Sequence, residues 1–174
     1  MSFLDLGDKV FVVFGIANKR SVAYHIAQRL LEEGATVVCS VRSEARRETV
    51  GKLLSTCDIH VCDVEHDGEI TALADAIRKK HPVVHGLLHS IAFASYESFS
   101  GKFHEVSRKD FVQCVSVSCY SLIAIANAFK EMLDRRASVV TISISTTRMA
   151  VESYGYMAPA KAALDSSLTF LAKS

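Results

Sequence analysis

The chain has 174 residues, of which 49% are hydrophobic and 22% charged, and its formal net charge at pH 7 is +1. This balance is typical of a soluble globular protein with a substantial core. The near-neutral charge argues against nucleic acid or an acidic membrane surface as a partner, and no apolar run reaches the roughly 18–20 residues that a membrane-spanning helix needs.

The N-terminal segment MSFLDLGDKVFVVFG carries acidic residues where a signal peptide needs basic ones. The chain has five cysteines, and none of them form a C-x-x-C pair. An odd number of cysteines without a secretory signal indicates reduced, buried thiols and a cytoplasmic location. No metal site is expected. The cysteines are Cys39, Cys57, Cys62, Cys114 and Cys119.

Short apolar runs alternate with segments of helical period along the chain. The predicted strands are KVFVVFG, ATVVCSV, DIHVCDV, VVHGLLHSIAFA and SVVTISI. The predicted helices cover residues 21–33, 43–54, 67–80, about 109–133, and 153 onward. Because parallel strands need crossover helices, this order predicts a doubly wound, Rossmann-like α/β sheet in a single domain, residues 1–174. The sequence stops inside the last helix, so we expect the usual final strands of this fold to be missing.

The turn after the first predicted strand has features of a phosphate site. Gly15 allows a close backbone approach, and the amides that begin the next helix favour a pyrophosphate. The glycine-rich dinucleotide fingerprint is incomplete, because Ala17 and Arg20 stand in place of its second and third glycines. An ordinary strand-to-helix turn with Ser21 as the N-cap explains the same residues.

Ligands of open parallel sheets bind beyond the carboxyl ends of the strands. Arg42 follows the second strand and favours a cofactor with a 2′-phosphate. Glu44, two residues later, makes this cofactor preference ambiguous. The alternative is that Arg42 is simply an exposed charge at the start of a helix. After the third strand, Asp63 can accept a hydrogen bond from adenine, with Val64 against the ring. The alternative is that Asp63 caps its own loop.

The segment after the fourth strand carries small side chains at Ser90, Ala92 and Ala94. They would allow a flat cofactor to lie against the backbone, or they serve tight packing of the strand on a helix.

The segment SYGYMAPAKAALDSS carries Tyr154 and Lys161, which share a face if the helix is continuous. An ammonium group near a phenol lowers the pKa of the phenol and makes it a better proton donor. Ordinary packing explains an isolated pair, but this pair follows the fifth strand of a nucleotide-binding pattern. On such a helix, Tyr156 lies about 140° from Lys161 and is expected to pack. Pro159 either starts the helix, leaving Tyr154 in a loop, or kinks it.

Together these residues resemble the enoyl-acyl-carrier-protein reductases, a divergent branch of the short-chain dehydrogenase/reductase superfamily. Gly15, Ser21 and Ala23 match the G-x5-S-x-A turn of that family, and HSIAFA matches its fourth-strand segment. Tyr154 and Lys161 match its Tyr-x6-Lys element.

The resemblance implies NADH or NADPH as the cofactor, an enoyl chain on acyl carrier protein as the substrate, and a homotetramer. It implies that Tyr154 stabilises the enolate oxygen and that Lys161 binds the nicotinamide ribose. Ala94 would touch the acyl substrate, and Arg42 would choose between the two dinucleotides. The other implied cofactor-binding residues are Gly15, Ile16, Ser21, Val22, Asp63, Val64, Ser90, Ile91 and Ala92.

Two alternatives remain open. A carbonyl reductase of the same superfamily, acting on a ketone, would be expected to carry Tyr-x3-Lys, but Met157 occupies the position four residues before Lys161. A degenerate binding or scaffold protein is suggested by Ile144, which stands where the family often has a second tyrosine.

Overall fold

The computed structural model describes residues 4–97, 101–145, 149–151 and 154–174. Within these residues, parallel strands form a single sheet in the order β3-β2-β1-β4-β5. The order turns back at β1, between β2 and β4, and confirms the predicted doubly wound sheet. The strands are β1 (Val10–Phe14), β2 (Thr36–Val41), β3 (Asp58–Val61), β4 (Val84–His89) and β5 (Leu133–Thr141).

Helices connect the strands, as the alternating pattern predicts. The third helix covers the predicted residues without a shift, because its apolar positions follow the helical period and are buried. The α-helices are α1 (Val22–Glu32), α2 (Glu44–Gly51), α3 (Asp67–Lys80), α4 (Arg108–Val115), α5 (Ser121–Phe129) and α6 (Met157–Leu171). A π-helix (Ser116–Tyr120) joins α4 to α5, and 3-10 turns cover Phe103–Glu105 and Lys130–Met132.

The contacts within the chain group it into two compact units. The first comprises Met1–Ser90 and Ala126–Thr141 and contains the sheet with α1, α2 and α3. In its core, the rings of Phe14 and Phe129 meet edge to face with centroids 6.2 Å apart. The second unit comprises Ile91–Ile125 and Ile142–Ser174. Its buried cluster is formed by Cys114, Tyr156, Met157 and Ala160. The single domain stays a prediction.

The helical run Arg108–Met132 differs from the sequence expectation. It has 25 residues and a mean hydropathy of 1.5, so by length and composition it could cross a membrane. This helix is not an unbroken apolar run, because serine, cysteine, glutamine and asparagine residues are interspersed among its apolar ones. The core helix of a soluble protein passes the same test, so this helix is weak evidence for a membrane.

The last helix, α6, begins at Met157, whereas the sequence predicts a start at Ser153, a residue outside those described. Tyr154 lies in the preceding turn, where its carbonyl oxygen accepts a 3.2 Å hydrogen bond from the amide of Met157. The intervening Gly155 has φ +51°, a left-handed conformation that interrupts a right-handed helix.

Pro159 is therefore the third residue of α6, where its missing N–H costs no internal hydrogen bond. The helix starts two residues before Pro159, and Tyr154 lies outside it, as the first alternative for Pro159 predicts. Tyr154 and Lys161 do not belong to one continuous helix, so the condition for a shared helical face is not met.

Candidate functional site

The turn after β1 has an unusual backbone and a side chain that holds it closed. Gly15 has φ +92°, a conformation that side chains disfavour. The Ser21 hydroxyl accepts hydrogen bonds from the amides of Ala17 and Asn18, at 3.2 and 3.3 Å, and donates one to the carbonyl of Asn18. Ser21 is the N-cap residue of α1, as the alternative predicts, but its hydroxyl is turned toward the loop and makes no capping bond to the helix.

The amide of Tyr24 donates to the carbonyl oxygen of Ser21 at 3.0 Å, and the missing side-chain cap leaves the earlier amides of the first turn of α1, those of Val22 and Ala23, suited to a bound anion such as a pyrophosphate. Val22, the first residue of α1, has 51% of its surface exposed, whereas Ile16 is buried at 2%. Ile16 therefore packs in the core of the first unit, and Val22 is the more accessible of these two implied residues.

Arg42 and Arg46 follow β2, and Arg46 contacts the turn after β1. Arg42 is exposed, one residue after β2. Glu44, the acidic residue that makes the cofactor preference ambiguous in the sequence, forms a 2.8 Å ion pair with Arg47 along α2. Arg46, which sequence reasoning missed, donates a 3.1 Å hydrogen bond to the carbonyl oxygen of Ala17. A basic residue one turn into the helix after the second strand is the only signal in the sequence that could have indicated it.

Asp63 closes its own loop. One of its carboxylate oxygens accepts a 3.1 Å hydrogen bond from the amide of Glu65, and its own amide donates to the carboxylate of Glu69 at 2.7 Å. Val64 beside it is buried. Asp63 thus caps its own loop, as the alternative predicts. A hydrogen bond from adenine to its second carboxylate oxygen stays a prediction.

The end of β4 is fixed to the end of β5 through side chains. His89, 1% exposed, has its Nδ1 atom 2.9 Å from the Thr141 hydroxyl, which donates to the carbonyl oxygen of His89 at 3.2 Å. The amide of Ser90 donates to the carbonyl oxygen of Phe14 at 3.2 Å. A histidine in an otherwise apolar strand is the sequence signal for this pair.

In the second unit, Lys161 is buried, with 3% of its surface exposed. Its ammonium group donates hydrogen bonds of 2.9 Å to the carbonyl oxygens of Ile91 and Ile142. Burial lowers the pKa of Lys161, although the carboxylate of Asp165 opposes that shift. An ammonium group has three N–H donors, and the hydrogen bonds found among the described residues engage two of them.

The two tyrosines beside α6 differ in their surroundings. Tyr154 is 38% exposed, and its carbonyl oxygen accepts a 3.1 Å hydrogen bond from the hydroxyl of Tyr96. Tyr156 is fully buried, donates its hydroxyl to the carbonyl oxygen of Ser95, and has its ring 5.4 Å from that of Tyr96. Burial raises the pKa of Tyr156. Tyr156 therefore packs, as expected, and Tyr154 is the accessible phenol.

Ser118 is a further residue that sequence reasoning missed. It lies in the π-helix, is fully buried, and its hydroxyl accepts from the amide of Phe93 at 3.0 Å and donates to the carbonyl of the same residue at 3.1 Å. It thereby fixes the segment that carries Ile91, Ala92 and Ala94. A serine within an apolar helix is the only sequence signal for it, and such a serine usually bonds to its own helix.

Among the implied residues in this segment, Ala92 is exposed. Ala94 is half-buried and packs against the buried cluster of the second unit. Ile144, at the position of the family's second tyrosine, is half-buried.

Comparisons with known proteins identify the family of the chain. A sequence model described as enoyl-(acyl carrier protein) reductase matches residues 15–174. The NADH-dependent enoyl-acyl-carrier-protein reductase FabI of Bacillus subtilis is 36% identical over 166 residues, which cover 92% of this chain and 64% of that protein. The enzyme of Staphylococcus aureus named as NADPH-dependent is 35% identical over 174 residues, covering 97% and 68%.

A crystal structure of the Bacillus cereus enoyl-acyl carrier protein reductase with NADP+ and indole naphthyridinone superposes with a TM-score of 0.92. It is 33% identical, and the match covers 97% of this chain and 67% of that one. The chain thus spans about two thirds of the length of these relatives. Since the family model matches residues 15–174, nearly the whole chain, the chain belongs to the enoyl-acyl-carrier-protein reductase family.

Proposed function

We propose that the protein reduces the carbon–carbon double bond of trans-2-enoyl thioesters carried by acyl carrier protein, with NADH or NADPH, in fatty-acid synthesis. The observation that carries this proposal is Lys161, a buried ammonium group with two N–H donors engaged by backbone carbonyls and a third left for a ribose hydroxyl. Its seven-residue separation from Tyr154 is the spacing of the family to which the chain belongs.

The residues of the first unit fit the phosphate and adenine parts of a dinucleotide. Gly15 has a positive φ and no side chain, so a phosphate can approach its backbone closely. The first turn of α1 has no side-chain cap. Arg42 would face a ribose 2′-phosphate, while Asp63 and Val64 would hold adenine. The other residues that would line the cofactor are Ile16, Ser21, Val22, Ser90, Ile91, Ala92 and Lys161.

When bound, the dinucleotide supplies the hydride that the β-carbon of the enoyl group accepts. Negative charge then develops on the thioester oxygen, and a pre-placed hydrogen-bond donor is worth most at that atom. Tyr154 would supply that donor, because its hydroxyl belongs to an exposed side chain held in a turn through its backbone. Ala94 would touch the acyl chain.

Position 157 disfavours the carbonyl-reductase alternative. In Tyr-x3-Lys enzymes a phenol would occupy that position, whereas here it is Met157, buried at the start of α6. By the same family resemblance we propose a homotetramer in the cytoplasm, with acyl carrier protein as the partner that delivers the substrate.

Two measurements test the proposal. Fluorescence titration with NADH and NADPH reports cofactor binding, and loss of reduced-nicotinamide absorbance with a crotonyl thioester reports turnover. We expect binding and turnover of the crotonyl thioester, and no turnover of an acetoacetyl thioester. Turnover of the acetoacetyl substrate alone would assign a carbonyl reductase. The absence of cofactor binding would assign the degenerate scaffold.

A further inference from the structure

Two tyrosines of the second unit join the segment after β4 to the turn before α6 through reciprocal hydrogen bonds. The hydroxyl of Tyr96 donates to the carbonyl oxygen of Tyr154 at 3.1 Å. In the opposite direction, the hydroxyl of Tyr156 donates to the carbonyl oxygen of Ser95. The rings of Tyr96 and Tyr156 lie against each other, with centroids 5.4 Å apart and planes inclined at 45°. Residues 58 and 61 positions apart in the sequence are thus held together at two points.

The segment that carries Tyr96 is itself fixed within the second unit. Three residues earlier, the amide and the carbonyl of Phe93 are bonded to the buried hydroxyl of Ser118 at 3.0 and 3.1 Å. One residue earlier, the carbonyl oxygen of Ser95 accepts the bond from Tyr156, whose side chain is fully buried. Because the backbone on this side of Tyr96 is held, its hydroxyl can in turn hold the backbone that it contacts before α6.

The backbone of Tyr154 has few other attachments. Its amide donates to the carbonyl oxygen of Val151 and its carbonyl oxygen accepts from the amide of Met157, each at 3.2 Å, and both of these bonds lie within the turn. Tyr154 also lies outside α6, which begins at Met157. Among the described residues, the bond from Tyr96 is the one hydrogen bond that connects the backbone of Tyr154 to a distant part of the chain.

The hydroxyl of Tyr96 keeps the proton that this bond needs. Burial raises the pKa of Tyr96, and the nearby Cys114 thiol and Tyr154 phenol raise it further. Tyr96 is 44% exposed, whereas Tyr156 is fully buried within the cluster of the second unit. Removing the hydroxyl of Tyr96 therefore releases a half-exposed ring from the turn, while the ring of Tyr156 stays packed without its hydroxyl.

We propose that Tyr96 is a positioning residue for Tyr154. Its hydroxyl fixes the carbonyl oxygen of the residue whose phenol donates to the thioester oxygen. This inference rests on the proposed function, since a pre-placed donor matters at the oxygen where charge develops. A displacement of about 1 Å at a catalytic group can lower the rate about a hundredfold. The loss of the bond from Tyr96 should cost less, because the two bonds within the turn remain.

Steady-state kinetics of Tyr96→Phe test the proposal. The change removes the hydroxyl and keeps the ring that lies against Tyr156. We expect kcat for a crotonyl thioester to fall about threefold to tenfold, while the KM for the thioester and the Kd for NADH stay within about twofold of the parent values. Tyr156→Phe is the matched control. It removes the other hydroxyl of the pair and should keep most of the kcat, because its ring remains in the buried cluster.

A double-mutant cycle separates positioning from a general structural effect. Tyr154→Phe removes the phenol but leaves the carbonyl oxygen that Tyr96 contacts. If Tyr96 acts through that phenol, adding Tyr96→Phe to Tyr154→Phe should change kcat by less than about 1.5-fold. The proposal is overturned if Tyr96→Phe alone keeps the parent kcat, or if it lowers kcat by the same factor in both backgrounds.

Fluorine NMR distinguishes failure of this proposal from failure of the proposed function. Fluorotyrosine is incorporated at position 154 by codon suppression, in the otherwise unchanged protein and in Tyr96→Phe. We expect the resonance to shift or broaden in Tyr96→Phe, because the turn that carries the label is released. Turnover by the parent with identical resonances in the two proteins would overturn the positioning role alone. A parent that binds NADH without reducing the crotonyl thioester would overturn the proposed function, whatever the resonances show.

Discussion

The ammonium group of Lys161 donates a 2.9 Å hydrogen bond to the carbonyl oxygen of Ile91, two residues beyond the end of β4. A second bond of the same length reaches Ile142, one residue beyond β5. The side chain thus has a structural role toward the backbone, in addition to the ligand role proposed for its third N–H.

Replacing Lys161 tests both roles. We expect Lys161→Ala to weaken NADH binding about tenfold or more, since hydrogen bonds from charged groups contribute about 1.5–3 kcal/mol. Lys161→Arg should lose less affinity because it keeps donors and charge. Fluorescence titration measures the Kd, and Lys173→Ala, at an exposed lysine in the same unit, is the control. If both Lys161 variants bind like the parent, the ribose assignment is wrong.

Ser118→Ala should destabilise the protein. The change removes both hydrogen bonds to Phe93 and leaves the backbone amide and carbonyl of that half-buried residue without these partners. We expect the free energy of unfolding to fall by about 1–3 kcal/mol, measured by urea denaturation.

The control is Ser116→Ala, two residues earlier in the same π-helix, where the described residues offer the hydroxyl no hydrogen bond. It should change stability by less than about 0.5 kcal/mol. If the free energy of unfolding falls equally in the two variants, the hydrogen bonds from Ser118 to Phe93 do not contribute to stability.

The central strands could be predicted from sequence because β1, β2 and β4 are largely buried on both faces and are therefore short apolar runs bounded by turn residues. The α3 bounds were predicted because the apolar stripe and the helix coincide over Asp67–Lys80. The start of α6 could not be predicted in this way. The residues on either side of Gly155 form hydrogen bonds with Tyr96 and Ser95, which are 58 and 61 positions away in the sequence.

Only part of the candidate site could be predicted, because its long-range hydrogen bonds leave no local pattern in the sequence. Tyr154 and Lys161 were proposed from their spacing, which is a property of the sequence. The bonds from Ser118 to Phe93 and from Lys161 to Ile91 join residues 25 and 70 positions apart, and no local pattern encodes such pairs. Glu44 was an ambiguous signal until its ion pair with Arg47 was seen.

Arg42→Ala should weaken NADPH binding while leaving NADH binding unchanged, because the guanidinium is proposed to contact only the 2′-phosphate. We expect about a tenfold rise in the Kd for NADPH. Arg47→Ala, at an exposed arginine of α2 paired with Glu44, should alter neither Kd and is the matched control. Equal losses with the two cofactors would remove the 2′-phosphate argument.

Cys62 should make stability fall at alkaline pH. Its pKa is raised from 9.0 to about 12 in the folded protein. Between those values the folded state holds a proton that the unfolded state releases, so its contribution to stability is complete below 9 and is lost as the pH rises toward 12. From about pH 8 to about pH 10, the parent should lose about 1 kcal/mol more than Cys62→Ala.

Urea denaturation under reducing conditions at the two pH values measures this difference. Cys119→Ala is the control, at another buried cysteine. A parent and a Cys62→Ala variant with parallel pH profiles would contradict the prediction.

The two tyrosines beside α6 should separate catalysis from stability. Tyr154 is exposed and matches the family spacing, whereas the buried hydroxyl of Tyr156 is engaged by the carbonyl oxygen of Ser95. We expect Tyr154→Phe to lower kcat for a crotonyl thioester about tenfold or more, a loss of roughly 1.4 kcal/mol in transition-state stabilisation. Cofactor binding and stability should barely change, because the backbone of Tyr154, not its hydroxyl, makes its hydrogen bonds within the turn.

Tyr156→Phe is the matched change at a neighbouring phenol. It should retain most of the activity and lower the free energy of unfolding by about 1 kcal/mol, since it removes a buried hydrogen bond without changing the size of the ring. Steady-state kinetics and urea denaturation on both variants decide between the tyrosines. If Tyr156→Phe loses kcat while Tyr154→Phe keeps it, the catalytic phenol is the buried one, and the side chain of Tyr156 must leave the carbonyl oxygen of Ser95 to reach the substrate.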